Sequence, residues 1–121
     1  MAQHNDLGRK GEDIACDHLI KTGYTIIARN WLFDRYEIDI IAEDEEYIIF
    51  VEVKTRSNNI WGNPEEAVSE AKIKRIVEAA DFYIKYYDIA KSARFDVIAI
   101  TLSANSVKIK HFDDAFLPPA F

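Results

Sequence analysis

Apolar residues change their period three times along this chain. From Leu7 to Gly23, the positions Gly8, Glu12, Ala15 and Leu19 fall at spacings of four, three and four, which is one face of a helix, and Gly23 is placed to cap its end. The pattern then shortens to the alternation of β-strands at 24–30 (YTIIARN), 36–42 (YEIDIIA) and 47–54 (YIIFVEVK), the last two joined by the acidic tip EDEE. After a polar stretch, SNNIWGN, Val68, Lys72, Ile76, Ala80, Tyr83 and Tyr87 restore the helical period. Asn63 can cap this second helix, Pro64 suits its first turn, and Glu66 stands three residues after the cap. ARFDVIAITL (93–102) and SVKIKHF (106–112) read as two closing strands, after which the prolines of DDAFLPPAF stop regular structure. The order αβββαββ implies a mixed central sheet flanked by helices, in one domain over 1–121 with an ordered core at about 7–112 and a tail at 113–121.

Strand alternation sorts the faces. Ile49, Val51 and Val53 share one side of their strand, and Phe50, Glu52 and Lys54 share the other; in the strand before it Glu37, Asp39 and Ile41 go together. Whether Asp39 meets Glu52 is decided by the turn. A four-residue loop over 44–47 pairs Glu43 with Ile48 and sets Asp39 directly opposite Glu52, and a two-residue loop sets them diagonally on one face. A three-residue loop sends them to opposite faces, because a slip of one residue flips a strand.

The length of 121 residues suits a single core. One cysteine, Cys16, excludes an internal disulfide, and no stretch reads as a secretory leader or approaches the ~18 apolar residues of a membrane span. A cytoplasmic protein with no membrane partner is expected. Fifteen basic and twenty-one acidic residues give −6, and residues 36–60 alone, with seven acidic and two basic, carry −5 of it. The bland account of the tip EDEE is solvated charge.

Four polar residues interrupt stripes that otherwise face a core: Glu12, Asp39, Glu52 and Lys72. Two like charges facing each other on a half-buried sheet repel, and desolvating an unpaired carboxylate costs at least a few kcal/mol. A divalent cation removes that objection. Asp39, Glu52 and a backbone carbonyl such as that of Val53 are hard oxygen donors suited to Mg²⁺ or Mn²⁺. The competing account pairs Lys54 with Glu52 at the rim and leaves Asp39 solvated. Lys72 can equally snorkel off its stripe. His4, His18 and His111 are scattered and form no constellation in the sequence. Arg9, Lys10, Arg29, Arg35, Arg56, Lys72 and Arg75 flank the acidic residues and can meet phosphate. Trp61 can stack on a splayed base or pack under its own loop.

Taken together, Gly8, Glu12, Ala15, Leu19 and Gly23, then ARN at 28–30, EIDIIAED at 37–44, FVEVKTR at 50–56, and a helix with Val68, Lys72, Arg75, Ile76 and Ala80 before RFDVIAI closely resemble the YraN family. These are small bacterial proteins predicted to be endonucleases related to archaeal Holliday junction resolvases. The resemblance covers roughly residues 7–112, and Asp39 with Glu52-x-Lys54 looks like the core of the PD-(D/E)xK phosphodiesterases. It implies a restriction-endonuclease-like fold and a Mg²⁺- or Mn²⁺-dependent nuclease acting on DNA, with branched or junction DNA among the substrates. Asp39 and Glu52 would be the metal-binding carboxylates, Lys54 the signature lysine and Glu12 an additional acid. Arg56, Lys72 and Arg75 would meet the substrate. One departure is visible: the family commonly has glycine where this chain has Tyr36, which narrows the approach to the strand. Two symmetric cuts in a junction would demand a homodimer. Two other accounts stand beside the nuclease. One is a non-catalytic nucleic-acid or protein-binding module that keeps the fold; the other is a scaffold presenting Tyr86, Tyr87, Phe116 and Phe121 to a protein partner.

Overall fold

The computed structural model describes residues 2–57 and 69–115, with the backbone alone for residues 2–5. Helix α1 spans Ala2–Lys21. Its end is the cap expected of Gly23, which sits at φ +102° while its N–H bonds the Ile20 carbonyl (3.2 Å) and the Tyr24 N–H bonds that of Leu19 (2.9 Å). Those paired bonds satisfy carbonyls that a helix end otherwise leaves to water.

Strand β1 (Thr25–Phe33) outruns the expected 24–30 and is followed by β2 (Tyr36–Glu43). The physical reason is a two-residue turn, Asp34–Arg35, with Asp34 at φ +57°, which pairs Phe33 with Tyr36 and carries the ladder past the polar Arg29 and Asn30. Strand β3 (Tyr47–Arg56) returns in the register Glu43↔Ile48, Ala42↔Ile49, Ile41↔Phe50 and Ile40↔Val51. The Asp44 carboxylate fixes that turn by accepting the N–H of Glu46 (2.8 Å) and of Tyr47 (2.7 Å). The acidic tip is therefore more than solvated charge: Lys91 Nζ also bridges Glu43 (3.0 Å) and the Asp44 carbonyl (2.8 Å).

Helix α2 spans Glu70–Tyr86. Ser69 is its N-cap, the hydroxyl accepting the Lys72 N–H at 3.2 Å. The start expected at Asn63, Pro64 and Glu66, together with Trp61 and Val68, lies outside the described residues. Strands β4 (Ser92–Leu102) and β5 (Val107–Phe112) complete the sheet, whose order is β1-β2-β3-β4-β5. Only the β3–β4 pairing, spanned by α2, is parallel. This is the mixed sheet flanked by helices that αβββαββ implied, an arrangement consistent with the restriction-endonuclease-like class.

Alternation along β3 divides the core. Ile49 and Val51 meet Ala15, Cys16 and Leu19 of α1, while Ile48 and Phe50 meet Ile76, Val77, Ala80 and Tyr83 of α2. Of the expected stripe positions, Gly8 faces open space and Tyr87 is half exposed. Gly11 makes the close approach instead: a Cβ there would lie 1.9 Å from Thr55 Oγ1, so glycine lets α1 lie down on β3. Among the described residues no helix is long and apolar enough to cross a membrane.

One carboxylate in this core is structural. Asp96 of β4 is fully buried and accepts from Arg94 Nε (2.9 Å) and Nη2 (2.8 Å), His111 Nε2 (2.7 Å) and the Asp114 N–H (3.0 Å). Burial opposes its charge, but the bonds from His111 and Arg94 hold its pKa below the usual carboxylate range. The histidines that look scattered in the sequence meet here, His18 Nε2 lying 3.0 Å from His111 Nδ1. With the His111 Nε2–H given to Asp96, its Nδ1 accepts from His18, and α1, β4 and β5 are tied together. Burial, then His111, lowers the His18 pKa and favours its neutral ring in this link. We predict that Asp96→Asn lowers stability by roughly 3–5 kcal/mol, because it leaves the buried Arg94 charge uncompensated. Urea unfolding at pH 7 measures this, and a loss under about 1 kcal/mol would contradict the structural role.

Candidate functional site

The β2–β3 register fixes the site. Its last backbone pair is Ile40↔Val51, in the register of the four-residue loop, and the pairing ends just before Asp39 and Glu52. There a side chain takes over from the ladder: the Val53 N–H donates to Asp39 Oδ2 at 2.8 Å. Glu52 follows Phe50 on the α2 face of β3 and is buried at 6% exposure.

Three groups converge on the Glu52 carboxylate. The Tyr36 phenol donates to Oε1 at 2.9 Å, Lys72 Nζ lies 2.6 Å from Oε2, and Lys54 Nζ lies 3.7 Å from the same oxygen. The ion partner expected in the competing account was Lys54; the closer partner is Lys72. A lysine in the first turn of a helix faces the positive end of the helix dipole, so the helix itself does not favour Lys72 there. The attraction of Glu52 outweighs that small cost.

The titration behaviour follows from this crowding. Burial, then the negative charge of Glu52, pushes the Asp39 carboxyl up to about 8, against the partial relief of the Val53 N–H. Burial works against the Lys72 charge, but its bond to Glu52 carries the pKa above that of an ordinary lysine. Lys54 moves the other way, lowered by burial and by the neighbouring Lys72 ammonium. The Tyr36 phenol is raised, first by burial and then by Glu52. Such opposed shifts within one cluster are typical of functional sites and also of buried ion pairs.

Glu12 stands apart from this cluster. Both its oxygens accept from Asn30 Nδ2 (3.0 and 3.1 Å), and Arg29 Nη2 lies 3.5 Å away. It reaches Asp39 through its field alone, adding to the rise of the Asp39 pKa. A cavity of about 580 Å³ opens beside it, lined by Gly8, Arg9, Asp13, Arg29, Asn30 and Glu37. Of the expected substrate contacts, Lys72 is in the site. Arg75 lines a neighbouring groove with Tyr36, Arg56 closes β3 with Nη1 bonded to the Thr55 carbonyl, and Arg29 is committed to Asp13 at 2.9 Å. Two members of the site escaped the sequence reading. Tyr36 reads in the sequence as narrowing the approach to the strand, yet it is a hydrogen-bond donor to Glu52. Asn30, noted in the sequence only as part of ARN, orients Glu12.

Asp39, Glu52 and the Val53 carbonyl are hard oxygen donors, a set that fits a divalent cation in type. The raised Asp39 pKa fits as well, since an added positive charge would relieve the repulsion behind it. Among the described residues no three or more His, Cys, Asp or Glu side chains come close enough together to hold a metal, so any protein-held ion would rest on these two carboxylates and main-chain oxygen.

Comparison with known proteins assigns a family. The model of an uncharacterised protein family, UPF0102, matches residues 11–100, which include the second half of α1, all of α2 and the strands that carry Asp39, Glu52 and Lys54. A UPF0102 protein of Bacteroides thetaiotaomicron is 46% identical over 121 residues, the full length of both chains. A second, from Flavobacterium psychrophilum, is 47% identical across 96% of this chain and 98% of its own, and a third, from Porphyromonas gingivalis, is 46% identical across 96% and 87%. The likeness extends over nearly the whole length on each side, and the chain belongs to the UPF0102 family.

Proposed function

We propose that this protein is a metal-dependent nuclease that hydrolyses phosphodiester bonds of DNA at Asp39, Glu52 and Lys54. The observation that carries the reading is the convergence of a buried glutamate, a second carboxylate whose pKa it raises and two lysines at the point where β2 and β3 stop pairing. A fold stabilised by packing alone has no use for that charge density.

In this reading Asp39, Glu52 and the Val53 carbonyl hold Mg²⁺ or Mn²⁺, which supplies Lewis acidity to the attacking water and to the phosphoryl oxygens. The remaining work belongs to the chain. Tyr36 fixes one oxygen of Glu52 and keeps its carboxylate turned toward Asp39. Lys54, on the same face as Glu52, orients the attacking water or binds a phosphate oxygen. Lys72 balances Glu52 until substrate arrives and then has a phosphate as an alternative partner. Glu12, aimed by Asn30, supplies a further negative group on the α1 side. Branched DNA is the proposed substrate class and a homodimer the assembly that two symmetric cuts require.

A second reading is favoured by one contact. Lys72 at 2.6 Å already neutralises Glu52, which suits a binding module that keeps the fold without catalysis. The two readings separate in one assay: cleavage of branched, single-stranded and duplex DNA and RNA, with and without Mn²⁺. We expect Mn²⁺-dependent cleavage that falls by about a hundredfold or more in Glu52→Gln. Binding without cutting of any substrate would select the module.

A second prediction concerns stability. The folded-state pKa of Asp39 lies above its unfolded value of about 4. Its contribution to stability is then fully present below pH ~4 and is lost as pH rises through about 8. Asp39→Asn keeps an oxygen for the Val53 N–H and removes the repulsion. In the absence of divalent cation it should therefore raise stability at pH 8 by about 1 kcal/mol or more, several degrees in Tm for a domain of this size. The gap should shrink toward pH 5. Added Mn²⁺ should raise the melting temperature of the wild type and leave that of the variant nearly unmoved. Thermal melts across pH 5–9 read all three effects, and a destabilised variant with no Mn²⁺ shift in the wild type would return Asp39 to a structural role.

A further inference from the structure

The β1–β2 turn projects Asp34 and Arg35 beyond the sheet, and α2 brings Arg75 and Glu78 up to face them. Between them runs a groove of about 350 Å³, walled by Phe33 and Tyr36. That volume is at the small end of the ~300–1,000 Å³ range of ligand sites and suits one mononucleotide. Neither guanidinium is engaged in an ion pair among the described residues, although two carboxylates line the same groove. The groove also leads to the site, because its Tyr36 wall donates the 2.9 Å hydrogen bond to Glu52.

Its apolar side continues outward as a row of rings. Phe33 and Phe82 lie 4.9 Å apart at 35°, and Phe82 and Tyr86 stack at 5.6 Å and 16°. Phe82 is 43% and Tyr86 69% exposed, so the row presents aromatic surface to solvent beside unpaired positive charge. A buried core explains neither the exposure nor the company. A protein partner would be met by the rings alone; a row of rings beside two guanidiniums matches a ligand that is both aromatic and anionic.

We infer that this groove is a subsite for one unpaired nucleotide of a nucleic-acid strand, its phosphate on Arg35 and Arg75 and its base against Phe33, with the strand running on along Phe82. The inference rests on the nuclease reading in taking nucleic acid as the ligand and Glu52 as the place where the strand leads. Stacking needs a bare base face, which a duplex interior does not offer, so the subsite selects a single-stranded or splayed end. Asp34 and Glu78 repel a second phosphate and can accept from a base amino group, which limits the groove to one nucleotide.

The test is binding, in Mg²⁺ at low salt, of a fluorescent single-stranded oligonucleotide and the matching duplex to full-length Glu52→Gln protein, read by anisotropy. We expect the single strand to bind more tightly than the duplex. Arg35→Ala with Arg75→Ala in that background should weaken single-strand binding at least about tenfold and make its salt dependence shallower by about one phosphate contact. Phe33→Leu, which keeps an apolar side chain in place, should weaken it at least about fivefold through lost stacking. Lys108→Ala, on β5, should bind like the parent. If the strand binds and the groove variants bind it equally well, the subsite is refuted while the nucleic-acid reading stands. If no single strand, duplex or branched DNA or RNA binds, both fall.

Discussion

Everything distinctive in this molecule depends on the pairing of Glu43 with Ile48. Side chains along a strand alternate, so the turn between β2 and β3 decides which face every residue of both strands presents. Asp44 enforces the choice by accepting two turn N–H groups, and Lys91 clamps the tip from outside. With that register, Ile49 and Val51 pack on α1, Ile48 and Phe50 pack on α2, and the pairing ends just before Asp39 and Glu52. One residue of slip would turn Phe50 and Glu52 toward α1 and Ile49 and Val51 toward α2. The core and the site are thus two consequences of one turn, and the apolar residues that stabilise the fold also hold the two carboxylates in line.

Holding them there is unfavourable, and the surroundings show how the fold tolerates it. Glu52 has a phenol and an ammonium as partners, whereas Asp39 has one backbone N–H and a neighbouring negative charge, and its proton affinity rises accordingly. The compensation is uneven between the two acids. Lys72 serves Glu52 from the first turn of α2, where a cation is disfavoured, so the ion pair and the helix terminus pull against each other. A charge arrangement in which each element gives up a little local stability is expected where the groups serve a ligand.

Much of this was legible in the sequence because it depends on period. The αβββαββ order, the Gly23 cap and the shared face of Phe50, Glu52 and Lys54 follow from spacing, which left the β2–β3 loop open between two, three and four residues. What was not legible depends on distance in the chain. His18 and His111 are 93 residues apart and meet only because the end of α1 comes up to the end of β5. Asp96 reads as one more polar residue in a strand, and its four donors come from β4, β5 and the turn after it. Tyr36 could be recognised as unusual at its position, but its bond to Glu52 is a property of two adjacent strands. Strand β1 was cut short because Arg29 and Asn30 look like its end, when the Asp34–Arg35 turn lets the ladder continue through Trp31 and Phe33.

The two buried acids of the sheet are held in different ways. Asp96 and Glu52 are both nearly inaccessible, and both have a cation within 3 Å. Asp96 receives four hydrogen bonds in total, which uses the acceptor capacity of its two oxygens and leaves no direction from which a ligand can approach. Its proton affinity is lowered as a result. Glu52 accepts from one phenol and one lysine, beside an aspartate whose proton affinity is raised, so its acceptor capacity is less fully used than that of Asp96. Saturation is what a fold requires of a carboxylate it must keep charged and fixed for good. Incomplete satisfaction, maintained by a register that the whole core enforces, is the condition under which binding a cation or a phosphate-bearing substrate gains more than the fold has already spent.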